Sequence, residues 1–214
     1  MLKVNEIFYS IQGESSYAGR PCVFVRLTGC NLRCSYCDTR YAYEEGDDLE
    51  MGDIIKRITS HRCGLVELTG GEPLMQKDTP PLIKKLLDTG FEVLLETNGS
   101  MDISVIDDRC VKILDIKCPS SGEATRNNFE NLKNLQTKDE IKFAMGSRED
   151  YDYAKNILSL INRAEGKIKP PLFSPVYGKM NPEVLARWIL ADHLDVRMQI
   201  QLHKVIWGSE KRGV

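Results

Sequence analysis

Cys30, Cys34 and Cys37 lie within GCNLRCSYCDT, residues 29–39, spaced C-x3-C-x2-C. The loop between them is polar and turn-rich (Asn31, Arg33, Ser35), so three unrelated core cysteines are a poor description of it. Thiolates are soft ligands, and crowding them this way points to a metal. Structural zinc takes four ligands, usually as paired C-x2-C elements or a matched Cys/His set. The chain has no second C-x2-C, and its histidines are His61, His193 and His203, so zinc would need a distant fourth ligand. An iron–sulfur cluster suits three thiols better. A [4Fe–4S] cube has four irons; three would be held by cysteine, leaving the fourth for a small molecule. An open coordination position marks a reactive metal site rather than a structural one.

Such a loop needs elements to hold it. Apolar, β-branched runs at 22–29, 64–71, 91–99, 111–119, 140–146, 171–178 and 196–207 predict strands. Amphipathic segments at 49–62, 79–90, 147–166 and 181–193 predict helices, with Asn181-Pro182 as N-cap and N1 and with Gly90 and Gly166 as stops. The stretches 102–109 and 126–137 are weakly periodic, so some crossovers should be abbreviated. Alternating strands and helices imply an α/β fold with a parallel sheet, curled into a barrel or part of one, in one domain over 1–214. The polar and Gly-rich punctuation falls repeatedly at strand ends: the cysteine loop, TGGEP (69–73), ETNG (96–99), DIKCP (115–119) and SPVYG (174–178). In α/β barrels that end of the strands carries the chemistry, so one site built from many loops is expected.

Composition narrows the classes. A formal net charge of -2 and no run of five or more Lys/Arg argue against nucleic acid as a partner. No apolar stretch approaches the roughly 18 residues of a membrane span, and the N-terminus lacks a signal-peptide pattern, so a cytoplasmic home is expected. There thiols stay reduced, and seven cysteines, an odd number, do not make a closed disulfide set. Cys22, Cys63, Cys110 and Cys118 sit in or beside apolar runs and are expected as small core residues.

With C-x3-C-x2-C, Tyr36 before its last cysteine, and Gly70-Gly71-Glu72-Pro73 downstream, the chain resembles the radical S-adenosylmethionine (SAM) superfamily. The resemblance implies a [4Fe–4S] cluster on Cys30, Cys34 and Cys37, with SAM on the unique iron, and a partial (β/α)6-type barrel with some helices short or missing. Within the superfamily, Ile11-Gln12-Gly13-Glu14, Arg20-Pro21-Cys22, Arg26, Cys37-Asp38-Thr39, LLETNGS, LDIKCPSSGE, FSPVYG and QLHKVIWG resemble the 7-carboxy-7-deazaguanine synthases along essentially the whole chain. Those enzymes are lyases of deazapurine (queuosine- and archaeosine-type) biosynthesis. They rearrange 6-carboxy-5,6,7,8-tetrahydropterin with loss of ammonia and require Mg2+.

The resemblance also implies roles. Thr39 would offer its hydroxyl to Mg2+. Arg26 would grip the substrate carboxylate, which a planar guanidinium can do bidentately. Ile11, Gln12 and Gly13, in an N-terminal substrate-contacting segment (1–20), would meet the pterin edge along with Thr69, Glu14 and Glu96. SAM would contact Tyr36, Cys37, Asp38, Gly71, Glu72, Asn98, Asp115, Ile116, Lys117, Ser174 and Pro175. Many relatives have Ser-Pro-Lys where this chain has Asp115-Ile116-Lys117, so Lys117 transfers best of the three. A flavodoxin or ferredoxin would supply electrons, and a homodimer is expected. The rivals are a glycyl-radical enzyme activating enzyme, which would present a surface to a protein partner, and a ferredoxin-like carrier, which would supply a fourth cysteine.

Overall fold

The computed structural model describes residues 1–161 and 169–214. In chain order the elements are β1 (Leu2–Ile11), β2 (Pro21–Leu27), β3 (Asp47–Leu49), α1 (Met51–Ser60), β4 (Leu65–Gly70), α2 (Thr79–Asp88), β5 (Glu92–Thr97), β6 (Val111–Ile116), β7 (Glu140–Met145), α3 (Arg148–Ile161), β8 (Leu172–Pro175), α4 (Pro182–Ala191), β9 (Arg197–Met198) and α5 (Leu202–Trp207). They build one sheet in the order β3-β1-β2-β4-β5-β6-β7-β8-β9, which runs between its two outer strands without a closing pair. From β2 onward every pairing is parallel. The expected α/β partial barrel is therefore present, as an open one.

Two assignments change. Residues 1–20, expected only as a contact segment, contain β1, which runs antiparallel to both β2 and β3. A register shift between Val4 and Glu6 breaks the alternation that would have announced the strand. The strand expected over 196–207 shrinks to Arg197 and Met198, and the chain turns helical at Leu202. Alternating Val196, Met198, Ile200 and Leu202 imitates a strand, but β8 is only four residues long and pairs with Arg197 and Met198 alone. The crossover from β5 to β6 has no helix, and that from β6 to β7 has only 3-10 turns at Pro119–Ser121, Ala124–Arg126 and Phe129–Asn134, in line with their weak periodicity. Asn181 caps α4 by accepting from the Glu183 N–H at 2.9 Å. The last residues of the helix expected over 147–166, including Gly166, lie outside the described residues.

Side-chain alternation explains how the sheet carries a site. One face packs against the helices through Val23, Val25, Leu68, Leu95, Leu114, Phe143 and the apolar stripes of α1 to α4. On the other, Cys22, Phe24, Leu65, Leu94, Val111 and Ile113 form a smaller apolar cluster. Two residues further along the same face, each strand turns polar: Arg26 after Phe24, Glu67 after Leu65, Glu96 after Leu94, Asp115 after Ile113. The inner face is thus apolar where the parallel strands begin and charged where they end. Burying the first half stabilises the fold, and the second half is left for a ligand.

Candidate active site

A cavity of about 560 Å³ opens at the C-terminal ends of the parallel strands. Its wall includes Cys30, Cys34 and Cys37 on one side and Gln12, Glu14, Arg26, Glu67, Glu96 and Lys142 on another. All seven cysteines are free thiols; Cys22, Cys110 and Cys118 are buried in the core, while Cys63 is half-buried. Burial pushes the Cys34 thiol up to about 11, so it holds its proton until a metal displaces it.

The cysteine loop is clamped from below and from the side. Glu72 N–H donates to the Gly29 carbonyl at 2.7 Å, and Gly71 N–H to the Leu27 carbonyl at 3.1 Å. A side chain at Gly71 would put its Cβ 2.0 Å from the Gly29 oxygen and 2.8 Å from Cys30 Cβ. The Gly-Gly pair is needed for this close approach of strand end to loop. Laterally, Ser35 N–H donates to the Ser121 carbonyl and Arg33 N–H to the Glu123 carboxylate, fastening the loop to the turns after β6. Leu32, 2% exposed, pins its centre.

The opposite wall is a chain of polar contacts. Gln12 Nε2 donates to Glu67, while Gln12 Oε1 accepts from the Glu14 N–H at 3.0 Å. Glu14 accepts from Lys142 at 2.8 Å, from Gln201 at 2.8 Å and from Gln199 at 3.2 Å. Lys142 also donates to Glu96. Burial and the neighbouring Glu96 and Glu14 charges push the Glu67 carboxyl well above the usual range. Burial raises Glu14 too, but Lys142 and Gln201 outweigh it and hold that group below its ordinary value. Asp115 pairs with Lys117 at 2.9 Å, and its Oδ1 is buried with no partner among the described residues.

Of the residues singled out from sequence, Ile11, Gln12, Gly13, Glu14, Arg26, Thr69 and Glu96 line this cavity. So do Tyr36, Cys37, Asp38, Thr39, Gly71, Asn98, Asp115, Lys117, Ser174 and Pro175. Glu72 and Ile116 do not. Ile116, 2% exposed, follows Asp115 on β6 and so points to the helix-packed face. Glu72 is wholly buried, and its carboxylate accepts from the Leu74 and Asn98 N–H groups and from the Thr97 hydroxyl. Arg26 meets Glu6 through Nε at 2.7 Å and lies over the Phe8 and Tyr41 rings. Thr39 Oγ1 sits 3.7 Å from Cys37 Sγ.

Sequence reasoning missed Glu67, Lys142 and Gln201, and left His203 open between a pocket role and a surface role. The first two had a signal: a charge inside a largely apolar strand, as in LVELTG and EIKFAM, is costly unless it faces a polar site. Gln201 was lost with the strand assigned over 196–207. His203 packs so tightly on Gly13 that a Cβ there would meet its Nδ1 at 2.1 Å, and burial holds its imidazole below the ordinary value.

The donor set fits an iron–sulfur cluster with a small-molecule ligand. Three free thiols face one cavity, and the strand end beneath them is too close for any side chain. An unpartnered buried carboxylate oxygen lines the same space. Among the described residues, no group of three His, Cys, Asp or Glu side chains converges as a single metal ion would require.

Residues 24–117 match the model of the Radical SAM superfamily. A 7-carboxy-7-deazaguanine synthase of Chlorobaculum tepidum is 46% identical over 216 residues, covering 100% of this chain and 97% of that protein. Its counterpart from Koribacter versatilis is 41% identical over 227 residues, covering all of both chains. Among solved structures, QueE from Escherichia coli superposes with a TM-score of 0.78 at 22% identity, over 94% of each chain. SuiB of Streptococcus suis, solved with S-adenosylmethionine bound, gives 0.56 at 14% identity, over 80% of this chain and 48% of its own. These two likenesses speak to the fold. The glycyl-radical activating rival is not favoured by relatives of this kind.

Proposed function

Because the chain belongs to the 7-carboxy-7-deazaguanine synthase family, we propose that it converts 6-carboxy-5,6,7,8-tetrahydropterin to 7-carboxy-7-deazaguanine with loss of ammonia, acting as a radical SAM lyase. One observation carries the reading: three free thiols, a Gly-Gly strand end and a wall of amides and charges meet in a single cavity. Its volume, about 560 Å³, lies within the usual range for small-molecule sites.

Cys30, Cys34 and Cys37 would hold a [4Fe–4S] cluster, which would supply one-electron reductive chemistry toward SAM. What this chain contributes is placement. Tyr36, Asp38, Gly71, Asn98, Asp115, Lys117, Ser174 and Pro175 shape the SAM side. Glu72 serves it indirectly, since its carboxylate fixes the Asn98 backbone and the Thr97 hydroxyl. Ile116 serves it by anchoring β6 in the core.

On the substrate side, Arg26 uses only Nε for Glu6, so its terminal nitrogens are placed to take a carboxylate. Glu14 and Glu96 accept pterin N–H groups. Gln12, Gly13 and the Ile11 backbone read the heterocycle edge, and Thr69 adds a hydroxyl. Mg2+, a hard cation, would take the Thr39 hydroxyl oxygen beside the cluster loop. An electron carrier such as flavodoxin or ferredoxin, a homodimeric state and a cytoplasmic location complete the proposal.

Anaerobic reconstitution with iron and sulfide, followed by reductant, SAM, Mg2+ and the carboxytetrahydropterin, tests it. The ring-contracted carboxydeazaguanine should appear with ammonia while SAM is not consumed. SAM cleavage to 5′-deoxyadenosine with the pterin untouched would overturn the assignment.

A further inference from the structure

We propose that Lys142, from β7, is a positioning residue whose ammonium gathers Glu14, Glu96 and Asp115 into one array and so aims the two pterin-facing carboxylates. The proposal rests on the substrate reading above for its kinetic part only. Lys142 is 6% exposed and reaches Glu14 Oε2 at 2.8 Å and Asp115 Oδ2 at 3.5 Å, besides its bond to Glu96. These partners come from three separate elements: the loop after β1, the end of β5 and the end of β6. Asp115 stands beside Lys142 in the parallel register. No other cation reaches Glu14 or Glu96 within an ion-pair distance among the described residues.

The surroundings explain why one ammonium is needed there. Glu67 faces the array from β4 and Asp38 from the cysteine loop; Arg26 on β2, Lys117 after β6 and His203 and Lys204 on α5 are the further charged or titratable groups. Arg26, Lys117 and Lys204 are matched by Glu6, Asp115 and Asp38, respectively. Without Lys142, Glu14, Glu96 and Asp115 would crowd a buried wall with a single nearby ammonium, that of Lys117. Carboxylates in that setting take up protons rather than remain charged. Burial disfavours the charged amine, but Glu14, Glu96 and Asp115 outweigh it and hold the Lys142 group well above its ordinary value.

Two readouts separate this from a merely structural lysine. The first uses the apoprotein and needs no substrate. In Lys142→Met the wall carboxyls should bind protons in the native state that the unfolded chain has released. The variant's melting temperature should then fall progressively below wild type between about pH 5 and pH 8. A packing defect alone gives a gap that does not change with pH, and that result would overturn the hub. The second readout is kinetic. Lys142→Met should raise the pterin KM about 10-fold or more, while the SAM dissociation constant stays within about 3-fold, because Asp115 keeps Lys117. Lys142→Arg should return KM to within about 3-fold of wild type. An unchanged KM, or SAM affinity lost in step with pterin affinity, would refute the positioning role. If Lys142→Met does not fold, Lys142→Arg carries the test: a pH-independent melting gap to wild type with near-native KM is expected. A rise in KM about as large as expected for the methionine variant would contradict the proposal. Should wild type bind but fail to turn over the pterin, the substrate reading falls while the melting comparison still judges the array.

Discussion

Adding one methyl group at Gly71 should dislodge the cysteine loop. The Cβ of Gly71→Ala would stand 2.0 Å from the Gly29 oxygen, 2.5 Å from the Gly29 carbonyl carbon and 2.8 Å from Cys30 Cβ. Ordinary contact begins at 3.4 Å, so the loop has to retreat by about 1.4 Å. The obstacle is backbone, so no rotamer change relieves it. The retreat also stretches the 2.7 Å bond from the Glu72 N–H to that same Gly29 oxygen. Overpacking of this kind costs about 1–3 kcal/mol, which for a chain of this size lowers the melting temperature by roughly 2–12 °C. Iron stoichiometry after anaerobic reconstitution should fall with it, since Cys30 moves while the stretch around Cys34 stays tied through Arg33 and Ser35 to the turns after β6. Gly52→Ala, in α1 with nothing within 4 Å of the added carbon, is the control and should be neutral or slightly stabilising. Native melting and full iron loading in Gly71→Ala would refute the close-approach argument.

Other perturbations read different parts of the wall. Glu67 has a folded-state pKa above its unfolded one, so its contribution to stability diminishes as pH rises from the ordinary carboxyl range toward that higher value. Glu67→Gln removes the titration and keeps an acceptor for Gln12; its melting temperature should gain on wild type as pH rises, and parallel profiles would contradict a protonated Glu67. Arg26→Lys keeps the charge but loses the fork, and should raise the pterin KM about 10-fold with little change in SAM affinity. Thr39→Ala should shift the Mg2+ titration of turnover to higher concentration while leaving iron content intact; an unchanged titration would remove Thr39 from the metal site.

The parallel strands and the helices were legible because each carries a strong local pattern. Most residues of β2 and β6 are buried, so both read as largely apolar runs interrupted by single charges such as Arg26 and Asp115. The three cysteines and Gly70-Gly71 were legible because thiols in a polar loop and paired glycines at a strand end serve few purposes besides holding a metal and letting backbones meet. Less was visible where a residue's purpose lies in distant partners. Lys142 and Glu67 are 75 positions apart and belong to one wall only because β4 to β7 lie side by side. Glu72 sits in the expected motif, yet its buried carboxylate is taken up by Thr97 and Asn98, which spacing alone does not reveal. The C-terminal segment misled because its apolar alternation matches a strand while its neighbour β8 pairs with Arg197 and Met198 alone.

The central claim is that three thiolates hold a cluster whose remaining iron is open to SAM. Low-temperature EPR of the reduced, reconstituted protein with and without SAM measures it most directly. The spectrum should belong to a [4Fe–4S]+ cluster, change on adding SAM, and vanish with the cluster in Cys30→Ala. A cluster signal indifferent to SAM, or one that survives loss of Cys30, would contradict it.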